Sequence, residues 1–297
     1  MPGLTRVSDT AETSHRGAAR GIARHGLAVV AVLVLVALTI AAVFAPWVAP
    51  YDPQGGSILD SLIAPTLQSG AGPPHLMGTD SLGRDVLSGV IYGSRVSLLV
   101  GLAAVVGAGL IGTAVGLIAG YFGGWIDEVV MRLVDIQMAF PFIILAITIM
   151  FILGRGLINV IVVLIVTGWP LYARVVRAET LRLRDSEFVI AARVLGCGRL
   201  RTVFRHILPN AFTPLLVVAT FAVPQMIIFE AGMSFLGVGM PAQVVSWGTL
   251  VADGRAYLDQ AWWITTFPGL AIMLTVLSVN LLGDWMRDRL DPRLRNL

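Results

Sequence analysis

Lysine is absent from these 297 residues, so all 21 basic side chains are arginine. A phosphate-cradling Walker loop requires its lysine, and the chain therefore does not hydrolyse ATP by that route. Cysteine occurs once, at Cys197, which excludes an intrachain disulfide. Four histidines, His15, His25, His75 and His206, are scattered and give no metal-ligand cluster. No metal, no cofactor and no nucleic-acid partner is expected. Charged residues make up 13% of the chain, against about 25% in a soluble domain.

Apolar residues make up 56%, which is membrane composition. Six uncharged runs, at 27–48, 96–120, 136–153, 156–173, 207–229 and 261–283, approach or exceed the roughly 20 residues that cross a bilayer. The third and fourth are short, so their helices should extend into flanking polar residues. Eleven of the twelve Trp and Tyr residues lie near run ends, as an aromatic belt requires; Trp247 is the exception, in mid-loop. The first run, at 22 residues, exceeds the roughly 7–15 of a signal-peptide core and reads as a retained span. The residues before it lack a core-forming pattern and read as a flexible tail.

Arginine distribution sets the expected orientation. With the N-terminus inside, the inner segments hold 17 arginines and the outer ones 4, namely Arg84, Arg95, Arg155 and Arg255. The positive-inside rule then places both termini in the cytoplasm. The expected order is a cytoplasmic tail 1–26, a first transmembrane helix 27–48, an extracytoplasmic loop 49–95, a five-helix core 96–286 and a cytoplasmic tail 287–297. The core would contain a cytoplasmic loop 179–207 and an outer loop 230–260.

None of the six runs contains Asp, Glu, Lys, Arg or His. Self-powered transporters usually place such groups within the membrane as relays, so transport would need power from elsewhere. Uncharged polar residues do occur in the runs. Gln137, Asn159, Gln225 and Ser278 are candidates to line a path, with interhelical hydrogen bonding as the plainer role. Ala104, Ala108, Gly112, Gly116 and Gly120 recur every fourth residue and form one small-residue ridge. Pro141, Pro170, Pro214, Pro224 and Pro268 can each kink a helix.

In the first outer loop, Asp80 is placed as the N-cap of a short helix beginning near Ser81. In the second, Gly237-Val-Gly239-Met-Pro-Ala242 mimics a dinucleotide fingerprint, but no strand precedes it. Neither loop gathers a nucleophile, base and orienting group, so the chain is not expected to be an enzyme.

The segment 174–206 is different: basic, and broken by Gly196 and Gly198. Leu181, Phe188, Ala191 or Ala192, and Leu195 fall on one face of a helix. Gly196 should stop that helix as a C′ glycine. A second helix should run from about Arg199 into the fifth span, with Pro209 near the membrane entry. The product is a knob, apolar on one side, whose alanines admit close approach. A helix lying on the membrane surface, in contact with lipid, has the same pattern.

"AARVLG" followed by "HILPN" resembles the EAA loop of ABC-importer permeases: Glu-Ala-Ala, three residues, Gly, nine residues, Ile, one residue, Leu-Pro. Ala191, Ala192, Gly196, Leu208 and Pro209 match that spacing, while Ile190 replaces the glutamate and His206 the isoleucine. "GTDSLGRDVLSGVIYGSRVSL", "AGYFGGWIDEVVMRLVDIQMAFP", "EAGMSFLGVG", "SWGTLVADGR" and "GDWMRDRLDPRLR" are similar to the second permease subunit of dipeptide and oligopeptide importers. The resemblance implies an all-α membrane protein with six transmembrane helices, a type I ABC-importer permease fold and a cytoplasmic coupling helix, in a bacterial inner membrane. It implies a second, homologous permease, two ABC ATPase subunits, an extracytoplasmic substrate-binding protein and a peptide substrate. Nickel and glutathione are carried by similar permeases. It assigns the coupling contact to Glu187, Phe188, Ala191, Ala192, Leu195, Gly196, Arg199, Leu208 and Pro209. A secondary transporter, a channel or a membrane enzyme would require convergent ionisable residues, and the runs contain none.

Overall fold

The computed structural model describes residues 26–67 and 74–290. Among these residues the regular structure is helical, with only the isolated bridges Gly56–Arg84 and Thr79–Asp85 besides. The first helix, α1, spans Gly26–Val43. Its alanine side is turned inward, with Ala28, Ala31 and Ala42 buried, and Leu38 reaches Ile227, Trp247 and Ala271. A turn at Phe44 leads into the short α2, Ala45–Val48, with its proline in the first turn, where a missing N–H costs nothing.

A 37-residue helix, α3, runs from Val86 to Phe122. The last ten residues of the segment expected as an outer loop, 86–95, are therefore helical. Asp80 does not start a helix; it closes a turn, accepting from the backbone N–H of Leu82 and Arg84 at 2.8 and 2.9 Å. Asp85 is the N-cap, accepting from the Ser88 N–H at 2.8 Å.

Two helices occupy the third run, α4 (Gly124–Ala139) and α5 (Phe142–Leu153), and they meet at 94°. The single span expected at 136–153 is thus broken. Pro141 disfavours the helical region for the residue before it, and Phe140 sits extended at φ −83°, ψ 134°. The fourth run is longer than its apolar core, as α6 continues from Leu157 to Arg184. The remaining long helices are α9 (Leu208–Phe235) and α11 (Trp263–Leu290). Among the described residues, five helices are long and apolar enough to cross a membrane, or six with the α4–α5 pair as one span.

The small-residue ridge of α3 packs against α6 within the same chain. A Cβ on Gly112 would stand 2.5 Å from the Trp169 carbonyl oxygen, and one on Gly116 2.6 Å from that of Ala173. Ala104 and Ala108 continue the ridge, fully buried. Where lipid removes the hydrophobic drive between helices, such backbone approach supplies the packing.

Candidate functional site

The knob is a helix, a turn and a helix start. Helix α6 stops at Arg184, and α7 spans Glu187–Val194. The break falls where the Ser186 hydroxyl turns back to donate to the Leu183 carbonyl at 2.5 Å, the kind of local bond that competes with helix continuation. Leu181 therefore belongs to α6 and does not share a face with Phe188 and Leu195, contrary to the periodicity. The inner anchor of α7 is Val189, fully buried against Leu183, Val203, Ile207 and Ala211.

Gly196 has φ +85°. Its N–H donates to the Arg193 carbonyl and that of Cys197 to the Ala192 carbonyl, both at 3.0 Å. This is a Schellman closure, and its C′ position favours glycine. Helix α8 (Arg199–Thr202) then continues through a π-turn, Val203–Ile207, into α9. Pro209 follows the π-turn, and a widened turn accommodates its ring over the Arg205 carbonyl.

What faces outward is mainly apolar. Phe188 and Ile190 are about half exposed, Val194 and Leu195 are 81% and 87% exposed, and Leu200 and Phe204 continue the patch. Ala191 is exposed. Ala192 lines a notch of about 460 Å³ with Leu195, Gly196, Cys197, Arg205 and His206. Glu187 lies exposed in the first turn of α7, where the helix dipole suits it. Leu208 packs on the knob core and Pro209 is exposed. Two arginines bind the knob to the bundle: Arg184 donates to the Gly120 carbonyl at 2.9 Å, and Arg193 lies 5.7 Å from the Tyr121 ring centre. The periodicity missed Val189, Val194 and Ile190, because burial of one face and exposure of the other depends on Leu183, Val203 and Ile207 closing over Val189.

Of the four residues placed on a path, two meet. Gln137 and Gln225 line one cavity of about 340 Å³, with Thr167, Phe142 and Phe229 on its walls. Gln137 is held by donating to the Val166 carbonyl at 2.6 Å and accepting from Trp169 Nε1 at 3.1 Å. Asn159 is elsewhere, donating to the Leu153 and Gly154 carbonyls at 2.9 and 3.0 Å. It closes the turn between α5 and α6. Ser278 is buried on α11 and does not line this cavity.

At the opposite end a buried carboxylate gathers three of the quoted stretches. Glu230, fully buried in α9 just past the uncharged run, accepts from Ser234 and Ser246, each at 2.9 Å, and from Ser97 at 3.4 Å. Ser246 also caps α10 (Trp247–Gly254) in a capping box with Thr249. Trp247 is no mid-loop exception: it is fully buried, and its indole donates to the Val90 carbonyl at 2.9 Å. The only available signal was that Glu230 and Ser246 each lie in a stretch of family-like sequence.

A bundle of apolar helices, broken at a proline and carrying an outward-facing apolar knob, defines a multi-pass membrane protein. Residues 112–296 match the family described as binding-protein-dependent transport system inner membrane component, and residues 16–66 match the N-terminal TM domain of oligopeptide transport permease C. The chain belongs to this family of permease subunits. It is 42% identical to the di/tripeptide transport system permease protein DppC of Pseudomonas aeruginosa, across 89% of this chain and 87% of that one. It is 39% identical to the oligopeptide permease OppC of Bacillus subtilis, across 91% and 86% of the two chains. It is also 39% identical to the glutathione permease GsiD of Pectobacterium atrosepticum, across 93% and 90%. A chain from inward-facing conformations of the MetNI methionine ABC transporter shares the fold, with TM-score 0.58 and 21% identity, over 68% of this chain and 96% of that one.

Proposed function

We propose that this chain forms half of a peptide-translocation path and is driven by ATP hydrolysed on two ATPase subunits docked beneath it. The observation that carries this reading is the two-sided knob: Val189 anchors α7 inward, while Val194, Leu195, Leu200 and Phe204 face outward without support from the described chain. An exposed apolar patch of this kind marks a contact with protein or membrane, and the docking reading takes it as protein. A second, homologous permease completes the path, with Gln137 and Gln225 facing the cargo. An extracytoplasmic binding protein delivers a di- or oligopeptide. The glutathione relative favours a second reading of the cargo, a small peptide-like solute, on the same architecture.

Ala192→Arg tests the docking. Beside Arg201 and Arg205, a further guanidinium pressed into a groove would be buried without a partner. A loss of about 4 kcal/mol weakens association roughly a thousandfold. The permease pair should assemble while the ATPases fail to co-purify. On a lipid surface the same arginine would snorkel at little cost, so full ATPase retention would return the knob to a surface helix.

Orientation has its own test. Cys197 lies on the knob and should be protected from an impermeant thiol reagent in intact cells. Ser57→Cys, in a Cys197→Ser background, should be labelled. The reverse pattern would invert the topology.

A further inference from the structure

We propose that Gln225 and Gln137 grip one main-chain amide of the peptide cargo between them, Gln225 as the mobile contact and Gln137 as the fixed one. The inference rests on the permease reading above. The two side chains line one cavity of about 340 Å³, near the lower end of ligand pockets, which run from about 300 to 1,000 Å³. None of the residues lining it is ionisable. A terminal ammonium or carboxylate would be buried there without a counter-charge, which is strongly unfavourable. The neutral, repeating part of a peptide is its main-chain amide, with one N–H and one C=O.

The polar groups of the wall differ in what they have left to offer. Pro170 lies within α6 and has no N–H, so the carbonyl four residues back, that of Val166, loses its helical partner. Gln137 takes that place, donating to the Val166 carbonyl at 2.6 Å, while its own oxygen accepts from the Trp169 indole at 3.1 Å. Its amide is thereby locked, with one N–H and one lone pair left. Thr167 spends its proton on the Val163 carbonyl at 2.7 Å. Gln225 is exposed and makes no hydrogen bond among the described residues.

Gln225 stands inside the uncharged run 207–229. A carboxamide facing hydrocarbon there is unfavourable, so something polar must reach it. A lipid tail offers neither donor nor acceptor. Water serves between cargoes, and a peptide amide serves during passage. In a trans amide the N–H and C=O point to opposite sides, so one side chain cannot take both. Two carboxamides on different helices, Gln137 on α4 and Gln225 on α9, can. Phe142 and Phe229, stacked with ring centres 3.6 Å apart, add a flat aromatic wall that makes no polar demand on cargo side chains. The cavity therefore selects the main chain and tolerates the side chains.

The test uses the full complex with its binding protein in liposomes. Two cargoes are compared, the dipeptide Ala-Ala and an analogue in which a trans alkene replaces the amide, keeping the shape and both terminal charges. Each is supplied preloaded on the binding protein, in limiting amount. The binding protein is the same throughout, so a change in the ratio of initial transport rates belongs to the permease. Gln225→Leu should lower the Ala-Ala to alkene ratio about fivefold, the size of one neutral hydrogen bond. Gln225→Asn, one methylene shorter, should lower it less. Gln137→Leu should also lower the unfolding temperature, because it uncaps the Val166 carbonyl, whereas Gln225→Leu should not. A ratio unchanged in Gln225→Leu, or in Gln225→Asn should the first variant fail to assemble, would overturn the proposal. So would a disulfide between Gln225→Cys and a cysteine variant of the second permease that forms equally with and without Ala-Ala, which would make this amide an interhelical contact. A parent complex that moves neither cargo would count against the peptide-permease reading itself; one that moves both with no dependence on position 225 counts against this inference alone.

Discussion

At the α10 end of the bundle, polar groups are closed within the chain, with Thr265 Oγ1 the exception. Glu230 takes three serine hydroxyls, Trp247 donates to Val90, Trp263 donates to the Thr79 carbonyl at 3.0 Å, and Asp85 holds Ser88 and His75. At the knob end the chain secures only one face, through Val189, Val203 and Ile207, and leaves Val194 and Leu195 to solvent. One end is completed by its own hydrogen bonds and buried indoles. The other has the shape of half an interface. If the knob docks as proposed, the difference separates residues that hold the fold from residues that meet another chain, and substitutions at the two ends should fail in different ways.

Trp247→Ala should break the comparison hardest. It deletes a fully buried indole and its hydrogen bond, at about 3–5 kcal/mol, so thermal unfolding of the purified complex should shift to markedly lower temperature. A shift no larger than that of a surface variant would mean that the α10 end is not a closed unit. Glu230→Ala leaves three buried serine hydroxyls without their acceptor, an expected loss of about 3 kcal/mol. Glu230→Gln keeps an acceptor oxygen and should recover part of it in the same assay. Asp85→Ala removes a helix cap, worth about 1–2 kcal/mol, and should appear as faster amide exchange in the first turn of α3 rather than as global unfolding. Leu195→Ala sits at the other extreme. Stability should stay within about 0.5 kcal/mol of the parent, while ATPase affinity falls about tenfold, the loss of a modest interface contact. If Leu195→Ala destabilised the complex as Trp247→Ala should, the knob would be core and not contact surface.

Much of this division was legible in the residues. The uncharged runs mark the long helices, the four-residue recurrence from Ala104 to Gly120 marks the α3–α6 contact, and Gly196 marks the turn of the knob. Errors arose where a local signal had a close competitor. Asp80 reads as a cap, but Gly83, at φ +72°, lets it close a turn, and Asp85, five residues on, starts the helix. Asn159 reads as a polar group in a span, yet its side chain serves carbonyls five and six residues back. The Glu230 cluster was out of reach because Ser97 lies 133 positions away in sequence, and no periodicity carries information over that distance. Leu181 was misplaced by extending one helical period across a break that a single serine hydroxyl makes.

From Arg199 to Phe235 the chain is one continuous 37-residue helix, with the knob turn at one end and Glu230 near the other. At 1.5 Å per residue it is a bar of about 55 Å. Tilting such a bar by about 5° about one end moves the other by about 5 Å, more than the length of any hydrogen bond in the serine cluster. The π-turn that ends at Pro209, and prolines 214 and 224, each interrupt its backbone ladder, so bending is confined to three known levels. Leverage of this kind needs no sliding of packed surfaces and no unfolding: the displacement at the far end is set by angle and length alone.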